Sequence, residues 1–103
     1  MQFDVVADPD SRSRGAFPYA AIMQSDFAET GAEVVVAFLV PKQDYRQGSG
    51  KLAPGVVVGE GEFVLLLKSL TNVPRRTFLR PIANLSAHRE KIVDGLDWLF
   101  TGV

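Results

Sequence analysis

Val56-Val57-Val58-Gly59-Glu60-Gly61-Glu62-Phe63-Val64-Leu65-Leu66-Leu67 is the stretch that decides the fold. A β-branched run, a glycine-bounded turn and a second apolar run predict a β-hairpin. The second arm is continuously apolar from Val64 to Leu67, which predicts a strand covered on both faces. Upstream, Glu33 to Val40 is dense in β-branched and aromatic residues and reads as the strongest strand, ended by Pro41. Between these lies Lys42 to Pro54 (KQDYRQGSGKLAP), polar and without period, which reads as a loop. Further back, Phe3 to Ala7 predicts a first strand and Tyr19 to Gln24 a second. The polar loop Asp8 to Gly15 separates those two, and Thr30-Gly31 marks a turn before Glu33. Downstream, Val73-Pro74 closes a further short segment, and Arg76 to Leu79 predicts a last strand before Pro81.

The C-terminal stretch changes period. Ile92, Val93, Leu96, Leu99, Phe100 and Val103 recur at three- and four-residue steps, one apolar face of a helix. Asn84 or Ser86 can cap its start by accepting from first-turn amides, and Glu90 suits the positive end of the helix dipole. Gly95 interrupts the helix at a cost of about 1 kcal/mol relative to Ala. It marks either the close approach of another backbone or a neutral surface position. Short strands followed by one terminal helix predict a mainly β protein with one α-helix: a small antiparallel barrel or half-open sheet with the helix alongside.

Composition sets the outer limits. The 103 residues, 47% apolar and 22% charged, predict one soluble domain spanning 1–103. A formal net charge of −1 argues against electrostatic wrapping of nucleic acid. The absence of cysteine excludes disulfides and thiolate metal sites and fits a reducing cytoplasm. The first residues lack the basic-then-apolar order of a secretion signal, and the longest apolar run, Val34 to Val40, is far too short to span a membrane.

Catalytic signatures are sparse. The single histidine, His88, is either a general base or a polar residue of the first helical turn, and no carboxylate cluster surrounds it at metal-ligand spacing. Ser25, Ser49 and Ser69 lie in no Gly-x-Ser-x-Gly turn. Gly48-Ser49-Gly50-Lys51 lacks the spacing and the following helix of a phosphate-binding loop. The expectation is a protein without catalytic residues, metal or cofactor, and not an enzyme. Arg75, Arg76, Arg80 and Arg89 form the one basic cluster, either a phosphate contact or a solvated strand edge. Arg12, Arg14, Arg46 and Tyr45, on the two polar loops, can pair with the carboxylates of a partner peptide and anchor it.

A set of residues in order carries a resemblance. Met1-Gln2-Phe3 opens the first strand, Ser11-Arg12 lies in the first loop, and Gln24-Ser25-Asp26 ends the second strand. Leu52, Pro54, Val73-Pro74 and Leu85-Ser86 follow, His88-Arg89-Glu90 stands in the helix, and Phe100, Gly102 and Val103 close the chain. Together these resemble the CcdB family, the toxin half of a bacterial toxin–antitoxin pair that poisons DNA gyrase. The likeness covers nearly the whole chain. It implies an SH3-like barrel with a C-terminal helix and a homodimer that sets two helix C-termini side by side on the breakage-and-reunion subunit of DNA gyrase. It also implies a cognate antitoxin, through which alone the toxin reaches operator DNA in repressing its operon. By position it assigns Ser25, Phe27, Asp97, Phe100, Thr101, Gly102 and Val103 to gyrase binding; Arg12, Arg14, Tyr45 and Arg46 remain candidates for the antitoxin. The family ends Trp-Gly-Ile; here Thr101 replaces the Trp and Val103 the Ile, and Asp97 stands where an Asn is familiar. Trp98, about 300° from position 101 around the helix, cannot stand in and is expected to pack on the barrel or a dimer interface. Two alternatives remain: a non-toxic dimer that keeps antitoxin binding and autorepression, and an endoribonuclease like the related MazF/Kid toxins, with Arg75, Arg76 or His88 in catalysis.

Overall fold

The computed structural model describes residues 1–8, 17–25, 31–77 and 80–102. Six strands, β1 (Asp4–Ala7), β2 (Tyr19–Ile22), β3 (Glu33–Pro41), β4 (Gly55–Val58), β5 (Gly61–Pro74) and β6 (Ala83–Asn84), precede one helix, α1 (Arg89–Thr101). They pair antiparallel in the order β4-β5-β3-β2-β1-β6 and curl into a nearly closed barrel, the architecture implied by the resemblance.

The hairpin forms where the residues predicted it, with Val58 opposite Gly61 and Gly59 at a positive φ of 61° that suits glycine. Val64, Leu65 and Leu67 are buried, as a strand covered on both faces requires. Its second arm is longer than expected. Val73-Pro74 does not close a separate segment but ends the fourteen-residue β5. The register with β3 shifts between Val36 and Phe38, where β5 carries extra residues. Ser69 stabilises this irregularity: its hydroxyl accepts from Phe38 N–H at 2.9 Å and donates to Leu66 O at 2.6 Å. A polar residue therefore does ladder work inside a strand, and the local pattern is broken there.

The strand expected at Arg76 to Leu79 is not formed by its described part. Arg75 to Thr77 make a 3-10 turn, closed by the Thr77 hydroxyl donating to Pro74 O at 2.6 Å; residues 78 and 79 lie outside the described set. The last strand is instead Ala83–Asn84, past Pro81 and paired with β1.

One core cluster unites Phe3, Val5, Leu39, Leu65, Leu67, Leu85 and Ile92, so strands and helix share it. Phe3 adopts a positive φ of 69°, an uncommon conformation for a residue with a side chain. Its N–H donates to Ile22 O at 2.6 Å, its carbonyl accepts from Leu85 N–H at 2.9 Å, and its ring is buried, which together hold the conformation.

The helix begins later than the capping residues suggested, and neither caps its first amides. Asn84 Oδ1 accepts from Ser86 N–H at 2.8 Å and starts a 3-10 turn, Ser86–His88, from which α1 continues at Arg89. Ile92 and Gly95 are buried and Leu96 packs against the core, while Val93 and Leu99 are half-buried. Gly95 marks a close approach: a Cβ there would fall on the backbone oxygen of Lys51 and on Leu67 Cδ1. The start of α1 thus runs from β6 to the far-edge strand β4 and fills the gap that keeps the barrel from closing.

Candidate functional site

The C-terminal end of α1 presents exposed apolar surface beside shallow hollows. Phe100 is 70% exposed. It borders a shallow hollow of ≈ 240 Å³ lined by Met23, Gln24, Val35, Leu70 and Leu96, and a second of ≈ 270 Å³ shared with Thr71 and Asn72. Four elements build this surface. The end of β2 supplies Met23, whose N–H donates to Val35 O at 2.9 Å, and Gln24, whose Oε1 accepts from Val35 N–H at 3.1 Å. These two bonds fix the segment leading into Ser25 against β3.

The helix is ended by its last residues. Gly102 takes a left-handed conformation, φ 76°, and its N–H donates to Trp98 O at 3.1 Å, an arrangement that satisfies an orphan carbonyl and turns the chain out of the helix. The helix-capping role of Gly102 is therefore real and compatible with a contact role. Thr101 folds its side chain back, its hydroxyl donating to Asp97 O at 2.6 Å. It presents no flat surface.

The structure brings Phe100 beside the segment that leads to Ser25, and keeps Asp97, Thr101 and Gly102 on the same exposed helix end. Phe27 and Val103, and Arg12 and Arg14, lie outside the described residues. Tyr45 is half-buried, packed against a cluster of Val40, Ala53 and Val64, with its hydroxyl bonded to Gln47 at 3.0 Å. Arg46 beside it is exposed. Trp98 does not enter the barrel core; it is 45% exposed and holds the Lys51 ammonium 4.8 Å above its ring. Met23, Val35 and Leu70 escaped the sequence reading as site residues. They come from the residue just past β2 and from β3 and β5, and no local motif joins them.

His88 has a defined place. Its Nε2 accepts from Val57 N–H at 3.2 Å, so the ring covers an edge amide of β4. Partial burial, and then the Lys91 ammonium, hold its pKa below the usual 6.5. The neutral ring is the form that can accept this bond. Because the unfolded chain binds the proton more readily, stability is full above about pH 6.5 and falls as the pH drops toward the lowered folded value. Urea midpoints should decline over that window in the wild type and decline less in His88→Gln, whose oxygen accepts without titrating. Equal slopes would show that His88 does not set this dependence. Among the described residues no group of three or more His, Asp or Glu could hold a metal ion. Arg89 is engaged at Gln2 (3.3 Å) and over the Phe3 ring (5.7 Å), and Arg75 and Arg76 stand in the turn after β5.

A scan of protein-family models matches residues 2–102 to the family described as CcdB protein. The chain belongs to the CcdB family, a toxin–antitoxin family of gyrase poisons and not an enzyme family. A search of curated proteins finds no match. Among the described residues, no helix is long and apolar enough to cross a membrane.

Proposed function

We propose that this protein is the toxin of a type II toxin–antitoxin pair, a homodimer that binds the breakage-and-reunion subunit of DNA gyrase through its C-terminal tail and traps the cleaved-DNA complex. Family membership supports the class. The observation that carries the rest is the exposed Phe100 at the end of α1, next to an apolar hollow that none of the described residues fills. A two-fold dimer through this face buries that hollow and sets two tails side by side. The tail acts by binding alone: Phe100, Thr101, Gly102 and Val103 contact the partner, with Ser25, Phe27 and Asp97 flanking. The cognate antitoxin binds through Arg12, Arg14, Tyr45 and Arg46, and the toxin meets operator DNA only in that complex, in the cytoplasm.

The second reading is a CcdB-like dimer that keeps antitoxin binding and autorepression without poisoning. The Thr101 hydroxyl turned onto Asp97 O, where the family has Trp, favours it. A ribonuclease is disfavoured because the one imidazole nitrogen seen in a contact is engaged by a backbone amide.

Sedimentation at micromolar concentration is expected to give a dimer, and addition to gyrase and plasmid should accumulate cleaved DNA. A monomer removes the proposed assembly. A dimer without cleavage selects the second reading, and degradation of a small RNA selects the ribonuclease.

A further inference from the structure

The bulge in β5 lies beside the surface that carries Phe100, and it decides which side chains reach that surface. Phe63, Leu65 and Leu67 pack on the main core, while Val64 and Leu66 belong to a separate cluster on the opposite face. Strict alternation would carry this order on, with Ser69 and Thr71 on the core face and Leu70 on the other. Past the bulge the order is reversed. Leu70 packs against the main core, and Val73 against the cluster of Val34 and Val36. The register accounts for the switch. Thr71 stands opposite Val36 and Leu66 opposite Phe38, so four residues of β5, Leu67 to Leu70, span one of β3, and the surplus is odd. Asn72, opposite Val35, then shares the face of Leu70, and all three border a hollow with Phe100.

Ser69 holds the surplus in place. Phe38 and Leu66 stand opposite each other, yet the Ser69 hydroxyl lies between them, accepting from Phe38 N–H at 2.9 Å and donating to Leu66 O at 2.6 Å. Both bonds are partly buried, so their loss is not made good freely by water. A ladder that closed Phe38 directly on Leu66 and ran on without the surplus would turn Leu70 to the opposite face, as any one-residue slip does. A bulge next to a site re-aims a side chain; the side chain re-aimed here is Leu70.

We propose that Ser69 is a positioning residue for the C-terminal binding surface: its hydroxyl holds the bulge that turns Leu70 toward Phe100, and so shapes the apolar seat that a second copy of the chain and the gyrase subunit meet. This role rests on the tail's being the binding surface. Ser69 itself is half-buried and acts through Leu70.

The test compares the full-length protein, carbon-labelled at its leucine methyls, with Ser69→Ala, Ser69→Cys and Ser69→Thr. In the wild type, and in Ser69→Thr, which keeps the hydroxyl on a residue suited to strands, the Leu70 methyls should show Overhauser contacts to Met23 and Phe100 across their shared hollow. Ser69→Ala should lose them, and its dimerisation and gyrase-subunit affinities should each fall roughly fivefold, about what one net hydrogen bond is worth. Ser69→Cys, near serine in size but a weak donor and acceptor, should fall between, and it carries the test if alanine prevents folding. Val56→Ala, a core truncation in β4, controls for stability: it should lower Tm yet keep the contacts and the affinities. Leu70 contacts that persist in Ser69→Ala or Ser69→Cys, or an affinity loss that Val56→Ala matches at equal loss of Tm, would overturn the proposal. A wild type that neither dimerises nor binds the gyrase subunit overturns the tail reading instead, and the Leu70 contacts alone then decide whether Ser69 holds the bulge.

Discussion

Gly95→Ala is expected to destabilise the protein by about 2 kcal/mol, although alanine is the better helix former. In an open helix the change would stabilise by about 1 kcal/mol. Here the added methyl falls on Lys51 O and Leu67 Cδ1. Leu67 is fully buried and has no free space into which to rotate. Lys51 lies between anchored neighbours: Leu52 O accepts from Leu67 N–H at 3.1 Å, and Gly50 and Ala53 pair through their backbones. Neither obstacle yields easily, so the overpacking cost sits at the upper end of its usual range of about 1–3 kcal/mol, or somewhat beyond, and outweighs the propensity gain. For a chain of this length the loss corresponds to a fall in Tm of roughly 8–15 °C. Thermal unfolding followed by circular dichroism checks it. An unchanged or raised Tm would mean that α1 does not press on the 51–52 backbone. Since α1 carries the tail, its displacement should also weaken any partner bound there.

Thr101→Trp is expected to tighten binding to the breakage-and-reunion subunit of gyrase roughly five- to thirty-fold, equivalent to about 1–2 kcal/mol. The native hydroxyl is spent on the Asp97 carbonyl at an exposed helix terminus, where water replaces it at little cost. An indole at 101 would stand exposed beside Phe100 and stack on a partner guanidinium, a contact that threonine cannot make. Affinity measured by calorimetry and growth arrest on induction should rise together. If affinity is unchanged, position 101 does not face the partner.

The hairpin at 55–67 was legible because β-branched runs and a glycine turn are local signals, and α1 because its 3.6-residue period is. The far half of β5 was not, since Lys68, Ser69, Thr71 and Asn72 alternate poorly, and Thr71 and Asn72 are held by pairing with β3, more than thirty residues away. β6 escaped because a two-residue strand has too little propensity to register. Of the site, Phe100 and Gly102 were legible through the family likeness. The hollow of Met23, Val35 and Leu70 exists only once three strands meet, and the contact of His88 with Val57 only once α1 reaches the β4 edge.

If the C-terminal tail is the contact with gyrase, removing its end must remove the binding. The affinity of gyrase's breakage-and-reunion subunit for the wild-type protein and for a variant lacking Gly102-Val103, measured side by side, tests this most directly. Weak but saturable binding by the wild type that disappears in the truncated variant is the predicted result; binding that survives the truncation unchanged would contradict it.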